Sequence, residues 1–268
     1  MAQSPEQLIQ KIKTFLKKEK EMYGDFSLAH NSEEVTDNKE NNEKGSDEVE
    51  GEVRAIEPGQ IEKSAETESH PKTVEERLEA CKTLEELREL CQESDLLKTD
   101  LEGTNLVFGV GNPNADLMVI GEAPGEDEDR QGEPFVGKAG QLLNKILAAI
   151  DFSRDDIYIA NILKHRPPNN RDPKPEERER SLPFLVKQIE LIKPKLILSL
   201  GKVSAQTLLN SDQSLGRMRG KFHPFLDKYE LLATYHPAAL LRHSKWKRPT
   251  WEDVQMLRKR YDELGCKP

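Results

Sequence analysis

The chain is poor in everything that marks an exported or membrane protein. Its three cysteines, Cys81, Cys91 and Cys266, are odd in number and scattered, which is no disulfide framework and fits free thiols in a reducing compartment. No apolar run approaches the ~18 residues that a membrane helix needs, and the N-terminus lacks the apolar stretch of a secretory signal. A cytoplasmic protein with no membrane partner is the expectation. Also missing are a P-loop and a Gly-x-Gly-x-x-Gly after the first strand, so a nucleotide-binding hydrolase has only the Gly-rich strand ends in its favour.

What is there is polar. Charged residues make up 33% of the 268 positions and the mean hydropathy is −0.75, too polar for the whole chain to be core. The net charge of −9 argues against a nucleic-acid partner only until it is divided along the chain. Residues 1–75 hold 18 acidic against 10 basic side chains, and the remainder 31 against 30. Within that near-neutral remainder the basic residues bunch at Lys164, Arg166 and Arg171, at Arg217, Arg219 and Lys221, and at Arg242, Lys245, Lys247 and Arg248. Local patches rather than total charge meet phosphates. A solvated surface of mixed sign explains any one group equally well.

Ser4-Pro5-Glu6-Gln7 reads as an N-cap, a Pro at the first helical position and a capping-box Gln, so an amphipathic helix is expected over residues 1–24. Residues 25–71 are dense in Glu, Asn, Ser and Asp without period, which predicts a disordered acidic linker. Two capping boxes, Thr73-Val-Glu-Glu76 and Thr83-Leu-Glu-Glu86, open the folded domain, taken as residues 72–268. Apolar runs at Leu117–Ile120, Asp156–Ile162, Lys195–Leu200 and Glu230–Tyr235 alternate with helical patterns. These follow at Gly140–Ile150, from Glu176, at Gly201–Leu209 and at Thr250–Leu264, the last with Trp251, Val254, Leu257 and Tyr261 on one side. The alternation predicts an α/β fold, a central four-stranded mainly parallel sheet flanked by helices.

The stretch Leu117–Leu143 organises the rest. An apolar strand breaks at Gly121, passes through a Gly- and Pro-containing loop with one aromatic, Phe135, and resumes as a helix. Ligands of open α/β sheets bind at the carboxyl ends of the strands, which is where Glu122, Ala123, Pro124 and Gly125 fall. Asn161 stands near the end of the second strand and His236 at the end of the last. Taken singly, Phe135 can be a packing residue, Asn161 a turn cap and His236 a structural histidine.

Gly121-Glu-Ala-Pro-Gly125 followed by Glu128-Asp129, Gly132, Pro134-Phe-Val-Gly137 and Ala139-Gly-Gln-Leu-Leu143 resembles the first motif of the family-4 (thermostable type) uracil-DNA glycosylases. The likeness continues in register through Asn161-Ile-Leu-Lys164, Arg166-Pro-Pro-Asn-Asn-Arg171, Lys195-Leu-Ile-Leu-Ser-Leu-Gly201 and Tyr235-His-Pro-Ala-Ala-Leu-Leu-Arg242. It implies a monomeric enzyme that flips uracil out of single- or double-stranded DNA and hydrolyses the N-glycosidic bond in base excision repair. Ala123, Phe135 and Asn161 would then hold the base, the Asn amide meeting the O4 and N3–H edge of uracil and rejecting cytosine. His236 would donate to uracil O2 as charge builds on the leaving base. Glu122 would position water or stabilise the sugar cation, with Glu126, Asp127 and Asp129 as weaker candidates, because Ala123 occupies the place of the carboxylate in family-1 relatives. Arg166, Arg171 and Arg242 are expected on DNA, with Leu240 and Leu241 as the wedge that fills the vacated stack.

The family holds an iron–sulfur cluster on four cysteines. At those positions this chain has Cys91, Ser94, His165 and Ser181. A neutral hydroxyl is a poor iron ligand, so we expect no cofactor and no metal, with Cys91 the one retained Cys ligand position. Two other classes stay open beside the glycosylase, a non-catalytic or covalently trapping uracil-DNA-binding protein and the nucleotide-binding hydrolase. The Lys-Arg-Arg-Ile-His insertion of cross-linking relatives has no counterpart after Asn161.

Overall fold

The computed structural model describes residues 73–267. The expected helix over 1–24 and linker over 25–71 lie outside the described residues. Helices α1 (Val74–Ala80) and α2 (Leu84–Glu93) lead in. There follow β1 (Val110–Gly111), β2 (Leu117–Gly121), α3 (Glu126–Gln131), α4 (Lys138–Ala148), β3 (Tyr158–Asn161), α5 (Pro175–Ile192), β4 (Leu196–Leu200) and α6 (Lys202–Leu209). The chain closes with α7 (Leu215–Met218), β5 (Phe222–Phe225), β6 (Tyr229–Thr234), α8 (Pro237–Arg242) and α9 (Lys247–Glu263). Both capping boxes form, Thr73 accepting from Glu76 N and Thr83 from Glu86 N at 3.2 Å, each fixing a helix start.

The strands make a six-stranded sheet in the order β1-β3-β2-β4-β6-β5. The four expected strands are its parallel centre, and every residue of β2, β3 and β4 is buried, as continuous apolar runs in a sheet covered on both faces should be. Alternate side chains feed two cores. Met118, Ile120, Ala160, Ile197 and Leu231 pack under α5 and α6 with Leu185, Ile189 and Leu208. Leu117, Val119, Ile159, Leu198 and Leu232 pack under α4 and α9 with Leu143, Leu147, Val254, Leu257 and Tyr261. Each fully buried aliphatic side chain contributes about 1.5–3 kcal/mol relative to exposure, which fixes the register and therefore where each strand ends.

Two edge strands were not anticipated. β1 is two residues long and antiparallel to β3, too short for any period. β5 carries Pro224 and runs antiparallel to β6; a Pro demotes a run in sequence but is tolerated on an edge, where no neighbour needs its N–H. Trp251 is also corrected. It is 41% exposed while Val254, Leu257 and Tyr261 are buried, because the buried stripe of α9 runs through Thr250, Val254, Leu257 and Tyr261 and Trp251 lies ~100° off it. No helix among the described residues is long and apolar enough to cross a membrane.

Candidate active site

The carboxyl ends of β2, β3, β4 and β6 converge on a cavity of about 840 Å³ lined by Glu122, Ala123, Phe135, Asn161, Tyr235 and His236 among others. The loop that brings Phe135 into it is tightly held. Leaving β2 at Gly121, the chain forms α3, and Glu128 on that helix accepts from Gly125 N at 3.2 Å and from Val136 N and Gly137 N at 3.0 Å. Phe135 has φ 55°, a left-handed backbone that costs a residue with a β-carbon about 1–2 kcal/mol. Gly140 at the start of α4 makes that conformation possible, since a β-carbon there would overlap the Phe135 carbonyl. The Phe135 ring is 5% exposed and lies 5.4 Å from the His236 ring, tilted by 32°.

Asn161, the last residue of β3, pairs with Gly121 across the parallel strands and is 2% exposed. Its Oδ1 has no partner among the described residues. A buried amide oxygen left unpaired costs about 1–3 kcal/mol, a cost that a donor entering the cavity would relieve. His236 caps α8, its Nδ1 accepting from Ala238 N at 3.2 Å. That bond makes Nδ1 the acceptor and leaves the proton on Nε2. Burial first, then the charge of Arg242, holds the imidazole pKa down at about 4, so the ring is a neutral donor. Glu122 has its carboxyl pushed up to about 7 by burial and then by Asp172, against the opposing charge of Arg178. Asp172 also lines the cavity; nothing in the aperiodic segment 165–175 marked it beforehand.

The weaker carboxylates are engaged by other partners, although Asp127, like Glu126, lines the cavity. Asp127 pairs with Arg130 at 2.7 Å, and Asp129 accepts from Asn105 N at 2.8 Å. Glu126 lines the cavity but pairs with Arg166.

Several expected DNA contacts are redirected. Leu240 is 2% exposed and turned into the core, whereas Leu241 is 54% exposed. The segment is helix α8 rather than a loop, and successive helical residues point ~100° apart, so only one of the pair faces out. Arg171 grips Glu177 through both terminal nitrogens at 2.6 and 2.8 Å and reaches Asp100 at 3.1 Å, which makes it a tie between the Pro-rich loop and α5. Arg166 is held by Asn170 and Glu126. Lys164 is fully buried, its ammonium donating to Phe108 O, Asn161 O and Gln188 Oε1. Arg219 is paired with Asp253. Exposed cations remain at Arg242, Lys245, Lys247 and Arg248. Beside them Trp246 stacks on Tyr235 at 4.9 Å, an aromatic wall that the sequence did not announce.

The residues at the cluster positions do not fit an iron–sulfur group. The Cys91 thiol is 1% exposed and burial, opposed by Lys164, pushes it up to about 12, so it is a neutral apolar group packed with Leu87, Leu90 and Phe184. Ser181 Oγ donates to Ile162 O at 2.7 Å. His165 Nδ1 shares a hydrogen with Thr104 at 3.0 Å, and Ser94 closes α2 as a buried cap. No group of three or more His, Cys, Asp or Glu among the described residues is arranged to hold a metal ion.

Comparison with known proteins agrees with this geometry. The family model of the uracil DNA glycosylase superfamily matches residues 108–257. The type-4 uracil-DNA glycosylase of Archaeoglobus fulgidus is 48% identical over 158 residues, covering 56% of this chain and 78% of that protein. The type-4 enzyme of Thermotoga maritima is 39% identical, covering 65% and 94%. The type-5 uracil-DNA glycosylase of Pyrobaculum aerophilum is 30% identical, covering 58% and 75%. The matched residues include β2 through β6 and all four strand ends of the cavity, and the chain belongs to the uracil DNA glycosylase superfamily.

Proposed function

We propose that residues 72–268 form a monofunctional uracil-DNA glycosylase, which flips uracil out of DNA and hydrolyses its N-glycosidic bond to leave an abasic site for base excision repair. The observation that carries this is the unpaired, buried Oδ1 of Asn161 beside the Phe135 ring and the neutral His236 in one cavity. Uracil stacks on Phe135, next to Ala123. Its N3–H satisfies Asn161 Oδ1, and the Asn161 amide N–H meets O4; cytosine presents the reverse pattern. As the C1′–N1 bond breaks, its electron pair passes to the base and charge grows on O2, where the Nε2–H of His236 donates. The sugar is left as an oxocarbenium ion. Water adds to C1′ and loses its proton, and ionised Glu122 is the group that receives that proton or faces the cation.

Arg242 and exposed Leu241, on α8, meet the phosphates and the vacated stack, and the Lys245–Arg248 group extends that surface. Arg166 and Arg171 act indirectly, by holding the Pro-rich loop that lines the same cavity. We further propose that the protein works as a cytoplasmic monomer without an iron–sulfur cluster, a reading supported by the serines at two of the four ligand positions and by the engaged hydroxyl of Ser181.

The test is incubation of the full chain with a single-stranded, end-labelled oligonucleotide containing one uracil, followed by hot alkali. Cleavage at uracil, with a thymine control intact, is expected. An intact strand would overturn the proposal, and a retained covalent complex would turn it into the trapping reading.

A further inference from the structure

The loop that carries Phe135 is pinned from a side that none of the steps above uses. Arg154 opens a single 3₁₀ turn, Arg154–Asp156, on the connection from α4 to β3. Its Nη2 donates to Pro134 O at 2.8 Å, and its Nη1 donates to Phe135 O at 3.0 Å and to Asn144 Oδ1 on α4 at 3.2 Å. From the other side Glu128 accepts from the next two amides, Val136 N and Gly137 N. One backbone polar group on each of four successive residues is thus held by two charged side chains, carbonyls by the cation and amides by the anion. The held segment includes Phe135 with its left-handed φ of 55°. Charge-assisted bonds of this kind are the strong ones, and a strained backbone persists only where its surroundings over-determine it.

We infer that Arg154 is a positioning residue for base recognition: by holding the carbonyls of Pro134 and Phe135 it fixes the Phe135 ring in the base cavity before DNA arrives. The inference rests on the reading of Phe135 as the surface on which uracil stacks. Arg154 lies behind the loop, clamped to Asn144, and touches no reacting atom. Its effect is preorganisation, since a ring already ordered holds the base at the angle the leaving reaction needs. The planar fork matters. A lysine ammonium reaches one of the two carbonyls but not both together with Asn144.

The inference is tested on the full chain with Arg154→Met and Arg154→Lys, each in wild-type and Phe135→Ala backgrounds. Single-turnover excision from a single-stranded uracil oligonucleotide should fall about tenfold or more for Arg154→Met and less for Arg154→Lys. In the Phe135→Ala background the same changes should cost less than about twofold, because their route of action is gone. Equal losses in both backgrounds would overturn the inference. A second arm needs no activity: hydrogen exchange at Val136 and Gly137 should quicken about tenfold in Arg154→Met, with exchange in β2 and β4 unchanged. Unchanged exchange at those two amides, or a uniform rise across the sheet, would overturn it. Wild-type protein that leaves uracil DNA intact would sink the proposed function and with it the role in base recognition, whereas the exchange data decide separately whether Arg154 holds the Phe135 loop.

Discussion

Gly121 and Phe135 meet beside the cavity so closely that a β-carbon on Gly121 would lie 2.5 Å from the Phe135 ring. The same β-carbon would also overlap Asn161 Oδ1. The end of β2, the Phe135 ring and the Asn161 amide are therefore one contact. Gly121→Ala should displace the ring or the amide and lower uracil excision by roughly ten- to a hundredfold, with an overpacking cost of about 1–3 kcal/mol. Rates and thermal unfolding measured on the same preparation check this; a fully active Gly121→Ala protein would show that neither group is positioned there for the base.

Glu122 predicts two opposite pH dependences. Its carboxyl titrates near pH 7 when folded, so excision that needs the carboxylate should climb as pH rises through about 7 and level off above it. Stability runs the other way. The folded pKa is raised, so the contribution of Glu122 to stability is fully present below its unfolded pKa and is lost as pH rises through the folded value. Glu122→Gln should therefore be more stable than wild type at pH 8, by roughly 1–3 kcal/mol, equal to it near pH 4, and much less active. Denaturant unfolding at both pH values, beside a pH–rate profile, decides the matter. A profile flat from pH 5.5 to 8.5 would remove Glu122 from the chemical step.

His236 caps α8, and substitution can separate that contact from the proposed donation to the base. His236→Ala loses both the Nε2 donor and the helix cap, and should reduce the chemical step by ~10²–10³ with a stability loss of about 1 kcal/mol. His236→Asn keeps a capping oxygen for Ala238 N but lacks the reach to the base. It should recover the stability and not the rate, as read by thermal melts and single-turnover kinetics.

Leu240 and Leu241 are neighbours in sequence with opposite fates. Leu240→Ala opens a hole in the core and should destabilise by about 2–5 kcal/mol. Leu241→Ala should leave stability within about 0.5 kcal/mol and slow excision from duplex DNA several-fold more than from a single strand, where no stack has to be refilled. Equal effects on both substrates would remove Leu241 as the wedge.

Iron content is a separate check. Protein purified without oxygen should be colourless, with no broad visible absorption and far less than one iron per chain. Near-stoichiometric iron and sulfide would show that Cys91 is a thiolate ligand after all and that Ser181 and His165 rearrange to meet it.

The sequence by itself determined the parallel centre of the sheet, because runs such as Leu117–Ile120 and Leu196–Leu200 are apolar throughout and can only be buried on both faces. It also determined the helix starts at Thr73 and Thr83, where the cap is a local hydrogen bond, and the motif positions of Glu122, Phe135, Asn161 and His236. Charge identity was legible in the same way, but charge direction was not. Lys164, Arg171 and Arg219 read as a phosphate-facing surface, and only the folded chain brings Gln188, Asp100 and Asp253 to them from distant segments. Packing likewise chose Leu241 over Leu240. The tertiary structure alone set the pKa of Glu122, through burial beside Asp172, and the left-handed Phe135, whose strain is tolerable only because Gly140, Glu128 and Arg154 surround it. Local pattern names the groups that a site can use; the contacts between segments far apart in the chain decide their direction, their protonation and their rigidity.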